Sequence, residues 1–540
     1  MSAATPAVHG TAGQTVRRFV VVVLLFTLVT IAASGLSGLL GRLLDAGSVI
    51  ADGDTTGLAT SLAFTLVAGP LAALLWWFEW RGLGSPVERG STLWGLYLAG
   101  MSTLALILMT VFLLSTISTL IDGDWDPHQL SAGLVWLGVW LWHRWMSQHR
   151  SKAPTRLTGA ARTLGYAFGL VVATVASIQT IGTLVDLAVA PPAVVALGEH
   201  RWWTPVLQSA VWAVGGAVVW WLHWVLDRGS QLRTAFSAVM LVLATGVLAV
   251  GLSVAGSATV LFVVLRIIFE SAEPFGELVE PLGTALAAAC IGAVIWAYYR
   301  TQVAAASAPA RLGAHLVSAG VGLGAAASGV GIIVNSILGA IVAPLAESGS
   351  RSLLFAGISL LVVGGPVWWA IWKPSSPATV ERSRETGRRV YLVTVFGISA
   401  LVAIITLLVI GYQVFEFALS GELDASLLDR IRASLGLLIA TGLVAAYHFS
   451  VWRGDRSLLP AEGARAQTID RVVLVTGGDP EPAVRAIRDA TGAAVTVWIR
   501  TDDEATGTPA GLAAALDGVT GARVLVLVGA DGVQVVPLEG

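Results

Sequence analysis

The chain has 540 residues, of which 55% are hydrophobic and only 12% are charged, and its mean hydropathy is +0.78. Because ordinary soluble domains carry about 25% charged residues, this composition excludes a soluble globular protein. The single cysteine, Cys290, excludes an internal disulfide and a cysteine metal site, whereas the net charge of −2 excludes little by itself. Long apolar runs recur from Phe19 to Trp452, and runs of about 20 residues predict an integral membrane protein.

The N-terminal residues 1–16 are small and polar, and we predict a disordered cytosolic tail there. The pair Arg17-Arg18 before an apolar stretch is also typical of a signal peptide. The apolar sequence continues to Leu44, however, which is too long for the apolar region of a signal peptide. We therefore predict a retained first transmembrane helix.

Pairs of predicted helices repeat along the chain. Each pair opens with a basic residue, continues through an apolar run and an acidic loop, and ends in a second apolar run; such a period marks an internal repeat. The pattern predicts an all-α integral membrane bundle of about 12 helices in six hairpins. The opening residues are Arg18, Arg89, Arg162, Arg233, Arg311 and Arg389. The helices are predicted near 17–44, 58–81, 91–121, 129–147, 162–190, 203–227, 234–269, 281–301, 311–344, 351–373, 388–420 and 426–453.

Two aromatic residues three positions apart stand near the end of every second helix. This spacing predicts that both rings lie on one face, and a following Arg or Lys marks where a helix leaves the lipid. We interpret the pairs as an interfacial belt; the alternative is a ligand site lined with aromatic rings. His143 and His223 stand inside the motif, and two histidines on separate helices are too few to predict a metal site. The belt comprises Trp77, Trp80, Arg81, Trp142, Trp145, Trp221, Trp224, Trp296, Tyr299, Arg300, Trp369, Trp372, Lys373, Phe449, Trp452 and Arg453.

The distribution of basic residues predicts the orientation. Connections between hairpins, with the N-terminal tail and the stretch to Arg465, hold 21 of the 32 basic residues, whereas the loops within hairpins hold six and are acidic. The positive-inside rule then places the hairpin junctions and both termini in the cytoplasm. Only two of the basic residues are lysines, which with much Ala, Val and Gly suggests a GC-rich bacterial source and hence a plasma (inner) membrane.

Polar residues inside a membrane are costly and usually functional, so they are the candidates for a transport path. They are spread over five helices, and no two carboxylates stand together in the middle of a helix. This distribution disfavours proton-coupled transport. The candidates are Gln179, Asp186, Gln208, Arg266, His315, Asn335 and Glu416.

The ninth predicted helix is rich in glycine, including Gly320, Gly322, Gly329 and Gly331. Close helix packing through small residues explains this composition, and a broken helix beside a substrate path is the alternative. Gly364-Gly365-Pro366 in the tenth helix predicts a kink.

Residues 465–540 have the pattern of a small cytosolic α/β domain with the order βαβαββ. Asp479-Pro480 predicts the start of a helix after Gly477-Gly478. We interpret Gly477-Gly478 as an ordinary turn; an anion-binding loop is the less favoured alternative. An acidic loop, Asp502-Asp503-Glu504, is opposite in charge to the Arg-rich junctions, which favours a regulatory or partner-binding module.

The motifs in this chain resemble an uncharacterised multi-pass membrane domain of bacteria, the domain of unknown function 5671. The resemblance rests on Arg17-Arg18, on Arg388-Arg389-Val390-Tyr391 and on Trp221–Trp224. It implies location and architecture, not an activity, and it covers residues 17–456 as tandem four-helix copies near 17–150, 162–302 and 311–456.

Three functions are compatible with these patterns. We favour a non-enzymatic membrane scaffold or sensor, with the lipid bilayer and a cytosolic protein as partners; the alternative is a transporter or channel for a small solute. An enzyme is the weakest interpretation, because no catalytic arrangement and no cofactor motif is evident in the sequence. A basic stripe for nucleic acid is also absent from the sequence.

Overall fold

The computed structural model describes residues 9–45, 55–189, 203–270, 273–342, 348–373, 379–383, 385–420, 427–458, 469–477, 479–500, 511–519, 521–529 and 532–538. The predicted acidic loop at 502–504, Gly478, Arg465 and residues 1–8 of the predicted tail lie outside the described residues. The chain divides into two units. The membrane unit comprises Met1–Pro377 and Val390–Phe449, and the C-terminal unit comprises Ala378–Arg389 and Ser450–Gly540.

Twelve long helices, α1 to α12, account for the apolar runs in the described part of the chain. Eleven of them are long and apolar enough to cross a membrane; the exception is α4, which carries several Trp residues, two histidines and an arginine. The predicted helical membrane bundle is thus confirmed, whereas the count of twelve crossings stays a prediction. The helices are α1 His9–Asp45, α2 Thr55–Gly82, α3 Thr92–Asp122, α4 Pro127–Gln148, α5 Ala160–Val189, α6 Trp203–Leu226, α7 Ala235–Phe269, α8 Leu282–Ala304, α9 Ala308–Val342, α10 Ser348–Trp372, α11 Thr386–Ser420 and α12 Leu427–Leu458.

The helix ends differ from the sequence prediction at a few places. Helix α1 begins at His9 instead of residue 17, because a helix once nucleated adds residues at low cost. Helices α2, α6 and α7 contain π-helical segments at Phe64–Ala68, Leu222–Leu226 and Leu243–Ala249, which no sequence pattern predicted. Helix α10 continues through Pro366, and the kink predicted there stays a prediction.

We call α1–α4, α5–α8 and α9–α12 the first, second and third quartets. Within the quartets, the first two helices pack as a hairpin, and the first helix also packs on the fourth. Glycine permits these contacts: a Cβ on Gly436 of α12 would stand 2.3 Å from the carbonyl oxygen of Gly331 on α9. No hydrophobic effect drives helices together in a membrane, because lipid tails are as apolar as the helices. Close packing through small residues therefore holds the bundle together.

The C-terminal unit contains a four-stranded sheet in the order β2-β1-β3-β4. Strand β1 pairs in parallel with β2 and β3, and β4 pairs antiparallel with β3. The predicted order βαβαββ is confirmed. The elements are β1 Ile469–Thr476, α13 Glu481–Thr491, β2 Ala494–Ile499, α14 Leu512–Ala515, β3 Gly521–Gly529 and β4 Gly532–Leu538.

The two faces of this sheet are different. Ile487 of α13 and Leu512 of α14 are fully buried against the face that carries Leu474 and Val526. Side chains alternate along a strand, so Val473, Val475, Leu525 and Leu527 point to the opposite face, where they are only partly buried. Trp498 is the register partner of Val475, and 60% of it is exposed. One apolar face of the sheet is therefore open.

Candidate functional site

Three side chains from three helices form a buried cluster in the first quartet. Nδ1 of His143 lies 2.8 Å from the carbonyl oxygen of Val139 one turn earlier. A carbonyl only accepts, so Nδ1 carries the proton and Nε2 is left as the acceptor for the hydroxyl of Tyr97, 3.1 Å away. The indole of Trp76 packs beside both rings. We call Trp76, Tyr97 and His143 the first ring cluster.

The third quartet contains a second copy of this cluster, formed by Trp372, Tyr391 and His448. The Trp76 and His143 rings are 6.0 Å apart at 40°, and the Trp372 and His448 rings are 5.9 Å apart at 41°. Nδ1 of His448 again lies 2.9 Å from the carbonyl oxygen of the valine one turn earlier. The two quartets thus hold the same side chains in nearly the same geometry.

The two clusters differ in their hydrogen bonds. The indole N–H of Trp372 donates to the hydroxyl of Tyr447 at 2.8 Å. The corresponding position before His143 is Trp142, whose indole has no acceptor atom. Consequently Nε1 of Trp76 is buried without a hydrogen-bond partner among the described residues.

The other two members of the third-quartet cluster also leave polar atoms unpaired. The hydroxyl of Tyr391 and Nε2 of His448 are both buried without a partner in the described structure, although the two rings are only 5.9 Å apart. In the first cluster the equivalent atoms bond to each other. Unpaired polar atoms beside an aromatic wall therefore occur in both copies, at different members of the cluster.

The second quartet satisfies its indoles with tyrosines. Trp220 donates to Tyr299 and Trp224 donates to Tyr298, each at 2.8 Å. His223 lies on α6 in this quartet, with its Nδ1 2.9 Å from the carbonyl oxygen of Val219. Among the described residues, the indole N–H groups of Trp76 and of Trp368 in the third quartet are buried without a partner, and that of Trp76 lies at the wall of a cavity.

That cavity, which we call the slot, has a volume of about 500 Å³ and lies between α1, α2, α3 and α4. Trp76, Tyr97 and His143 line one end of the slot. Thr65 also lines it, eleven residues before Trp76 on α2, which is about 16 Å at 1.5 Å per residue. Leu36, Leu134 and Trp142 at its rim are exposed on the surface of the bundle. The remaining lining is apolar: Val29, Ala32, Ala33, Gly69, Ala72, Ala73, Val135, Gly138 and Val139.

The wall of the slot contains the π-helical segment of α2. Oγ1 of Thr65 lies in this segment and is buried without a partner among the described residues, whereas Thr60 and Ser61 bond to carbonyls one turn earlier. π-Helical turns are frequent at functional sites. The slot consequently has one unpaired polar group near each end.

A second cavity of about 450 Å³ lies where α3 and α4 approach α5 and α6. Its wall contains a bidentate ion pair between Arg144 and Asp227, and Arg162 donates to the backbone carbonyl of Asp227 at 3.1 Å. The carboxylate of Asp227 neutralises Arg144, so these two residues form a structural ion pair. The guanidinium of Arg162 then gives the cavity wall an additional positive charge. Within the described residues no cluster of three or more His, Cys, Asp or Glu side chains is able to hold a metal ion.

The belt residues do not all lie as the spacing predicted. The first ring of each pair is 41–50% exposed, but Trp224, Tyr299 and Trp372, the second rings of three pairs, are at most 4% exposed. The prediction that both rings share one face is wrong for these pairs. A spacing of three separates side chains by about 60°, enough to put one ring in lipid and one in the core; at Trp221 and Trp224 the π turn separates them further. Trp77, Trp142, Trp145, Trp221, Trp296, Trp369 and Phe449 are the exposed members, and Trp80 and Trp452 are half-buried.

Basic residues one turn after the exposed rings contact them directly. The guanidinium of Arg81 lies 3.7 Å from the centre of the Trp77 ring. Arg300 and Lys373 repeat this contact with Trp296 and Trp369 at 5.2 and 5.1 Å. The exposed Arg453 has no such ring; near it Arg456 covers Trp452 at 5.3 Å instead. Each contact keeps a cation next to a ring at the end of its helix, as an interfacial anchor requires.

The polar candidates for a transport path lie at separate places. Asp186 accepts from the backbone N–H of Gly283 at 3.1 Å, near the start of α8. Arg266 pairs with Glu270 and Glu273 at the end of α7. Gln208 donates to Asp122 and to the carbonyl of Ser118. Gln179 and Glu416 are exposed, His315 is half-buried on α9, and Oδ1 of Asn335 is buried without a partner among the described residues.

Sequence reasoning missed most of the ring cluster. It selected His143, His223 and Trp372 for their place in the belt motif, and it used Tyr391 only for the family resemblance. It did not select Trp76, Tyr97 or His448, although Nδ1 of His448 makes the same bond as that of His143. A usable signal was present: a tyrosine near the start of the third helix and a histidine near the end of the fourth occur in both quartets.

Comparison with known proteins gives a single family. The family model named "Domain of unknown function (DUF5671)" matches residues 18–141 and residues 314–443. These ranges fall on the first and third quartets, so the chain carries tandem copies of that domain, as predicted for 17–150 and 311–456; the copy predicted near 162–302 is not matched. No curated protein and no solved structure matches the chain significantly.

Proposed function

Because the chain carries two copies of DUF5671, a domain of unknown function, we propose a function from the structure: a non-enzymatic scaffold or sensor of the bacterial plasma membrane. In this proposal the C-terminal unit faces the cytoplasm and binds a protein partner. The observation that carries it is the open apolar face of the sheet. The candidate polar residues lie apart from one another in the membrane unit, which favours a scaffold over a transporter.

The open face has the composition of a protein-binding surface. Val475 and Leu527 form its centre, and Trp498 stands 60% exposed beside them. Soluble surfaces rarely leave a contiguous apolar patch uncovered unless it binds something, and Trp is enriched at the centres of interfaces. Arg471 and Arg523 are exposed register partners at one end of the same face, so the partner is expected to present acidic residues there.

A site-specific photocrosslinking amino acid tests this surface in the full-length protein in its own membrane. Placed at Thr496, which is exposed on the open face, it should yield one crosslinked partner. The same probe at Arg488, exposed on the helix-covered side, is the matched control and should not. Trp498→Ser should abolish the crosslink at Thr496. Crosslinks only within the chain, or the same products from both probes, would contradict partner binding.

The orientation is tested by labelling single cysteines in intact cells. The exposed native Cys290 is first replaced with serine. Cysteine at Asp124 or Glu277 should then react with an impermeant reagent, because the positive-inside rule places these loops outside. Cysteine at Ser230, in a junction, should react only after permeabilisation. The reverse pattern would contradict the cytoplasmic assignment of the termini and of the partner surface.

A further inference from the structure

The unpaired indole of Trp76 is the feature of the membrane unit that most needs a partner. An indole N–H only donates, and a buried unpaired donor costs about 1–3 kcal/mol. Trp220, Trp224 and Trp372 avoid this cost by donating to Tyr299, Tyr298 and Tyr447. Trp368 of the third quartet, like Trp76, is buried without a partner among the described residues. The first quartet has Trp142 instead, and there the donor lines the slot.

The shape of the slot indicates what occupies it. It follows the helix axes for about 16 Å from Trp76 to Thr65, so a long, narrow apolar molecule fits it. Its floor is built from small residues such as Ala72 and Gly138, and a Cβ on Gly138 would meet no atom within 4 Å. Its rim residues are exposed on the bundle surface, so a molecule enters sideways from the lipid and not from water.

The depth of Trp76 indicates the polar group of that molecule. Trp76 lies beside the belt residues Trp77 and Trp80, and aromatic belts sit at the headgroup level of a bilayer. The ester carbonyls of phospholipids lie next to that level, at the top of the acyl chains. A lipid whose chain lies in the slot therefore brings a carbonyl oxygen close to the unpaired N–H of Trp76.

We propose that the first quartet binds one acyl chain of an ester-linked membrane lipid in the slot, with an ester carbonyl accepting the hydrogen bond of the Trp76 indole. Thr65 is the second unpaired group, toward the other end of the chain. In the third quartet the indole that packs on the histidine, Trp372, is instead paired internally with Tyr447. The proposal is independent of partner binding by the C-terminal unit.

Photolabelling tests occupancy of the slot. The full-length protein is reconstituted in phosphatidylglycerol vesicles that contain a trace of phosphatidylglycerol with a diazirine in one acyl chain. After illumination, the label should map to slot residues such as Ala73 and Val135. Gly138→Leu should remove it, because the new side chain fills the slot. Gly442→Leu on α12 is the matched control, since its Cβ also meets no atom within 4 Å.

Competition between lipids tests the hydrogen bond. Ether-linked phosphatidylglycerol has the same chains but no carbonyl, so the ester lipid should displace the photolabel about fivefold better, the factor of one neutral hydrogen bond. Trp76→Phe, which keeps a ring but removes the N–H, should abolish this preference. Trp142→Tyr should abolish it too, by giving the indole an internal acceptor like that of Tyr447.

Each result decides the proposal. Label in the slot, with an ester preference that both Trp76→Phe and Trp142→Tyr remove, supports it. Label spread evenly over the bundle, or unaffected by Gly138→Leu, would overturn the site. Label in the slot with equal displacement by ester and ether lipids would overturn the role of the carbonyl. None of these outcomes depends on the crosslinks at Thr496, so this proposal and the proposed function fail separately.

Discussion

In the first quartet the indole of Trp76 faces Trp142, whereas in the third quartet the indole of Trp372 faces the hydroxyl of Tyr447. The helices, the histidine and its bond to a valine carbonyl are the same in both. The side chain before the histidine therefore decides whether the indole that packs on the histidine has an acceptor inside the quartet. The comparison shows how a duplicated membrane domain can keep its packing and change its capacity to bind.

A second difference lies three residues before the cluster tyrosine. In the first quartet this position is Trp94, which is 3% exposed, packs against Tyr97 and donates to the carbonyl of Lys152. The later copy has Arg388 instead, which pairs with Asp455 through two hydrogen bonds of 2.7 and 3.1 Å. One copy thus fixes the end of its hairpin with an aromatic ring and the other with a buried ion pair.

The largest effect is expected from breaking that ion pair. The side chains of Arg388 and Asp455 are only 3% and 8% exposed. Asp455→Leu should lower the free energy of unfolding by about 3–5 kcal/mol, because it leaves a buried charge uncompensated. The double variant Arg388→Met with Asp455→Leu should recover most of this loss, as apolar replacements of buried pairs do. Thermal unfolding in detergent measures both variants. If the double variant lost as much stability as the sum of the two single changes, the burial argument would be contradicted.

Helix packing gives the next largest effect. Gly436→Ala should lower the free energy of unfolding by up to about 3 kcal/mol, because the added methyl group meets the backbone of Gly331 at 2.3 Å. The matched change in the first quartet, Gly138→Ala, places a methyl group in open space and should have little effect on stability. The measurement is again unfolding in detergent. Equal losses would mean that α9 and α12 are not in close contact.

The cluster hydrogen bonds give a smaller effect. Tyr447→Phe should cost about 1–2 kcal/mol, because it removes the hydroxyl that accepts from the N–H of the fully buried Trp372. In lipid-free detergent, Trp142→Tyr should do the opposite and stabilise the first quartet by about 1 kcal/mol. Opposite signs for the two variants are the expected result. Destabilisation by both would mean that the tyrosine hydroxyl does not fit beside Trp76.

The smallest effect is expected at the belt. Arg81→Gln removes a cation 3.7 Å above the exposed Trp77 ring and should lower the free energy of unfolding by less than about 1 kcal/mol. Its visible consequence should instead be helix depth, measured by quenching of a nearby fluorophore with lipid-bound quenchers. A large loss of stability would show that this residue holds the fold and is not an anchor.

Much of the fold could be predicted, because apolar runs must span a bilayer as helices and short alternating runs must pair as strands. The π segments could not be predicted. The residues of Phe64–Ala68 are of the same types as those of an ordinary apolar helix, and the wider turn depends on the helices that pack against it. The slot could not be predicted either. It depends on the gap that Ala72 and Gly138 leave between neighbouring helices, and sequence spacing within one helix carries no distance to another.

Sequence patterns alone therefore predicted local and periodic features: the apolar helices, the aromatic residues at their ends, the resemblance to DUF5671 and the order of strands in the C-terminal unit. The pairing of polar atoms follows from the contacts between helices. Trp76 and Trp372 are the same residue type in the same kind of helix, and their difference lies in a side chain about 70 residues away in the sequence on another helix. Hydrogen bonding inside a membrane is decided by such contacts across helices, because neither water nor lipid tails can supply the missing partner.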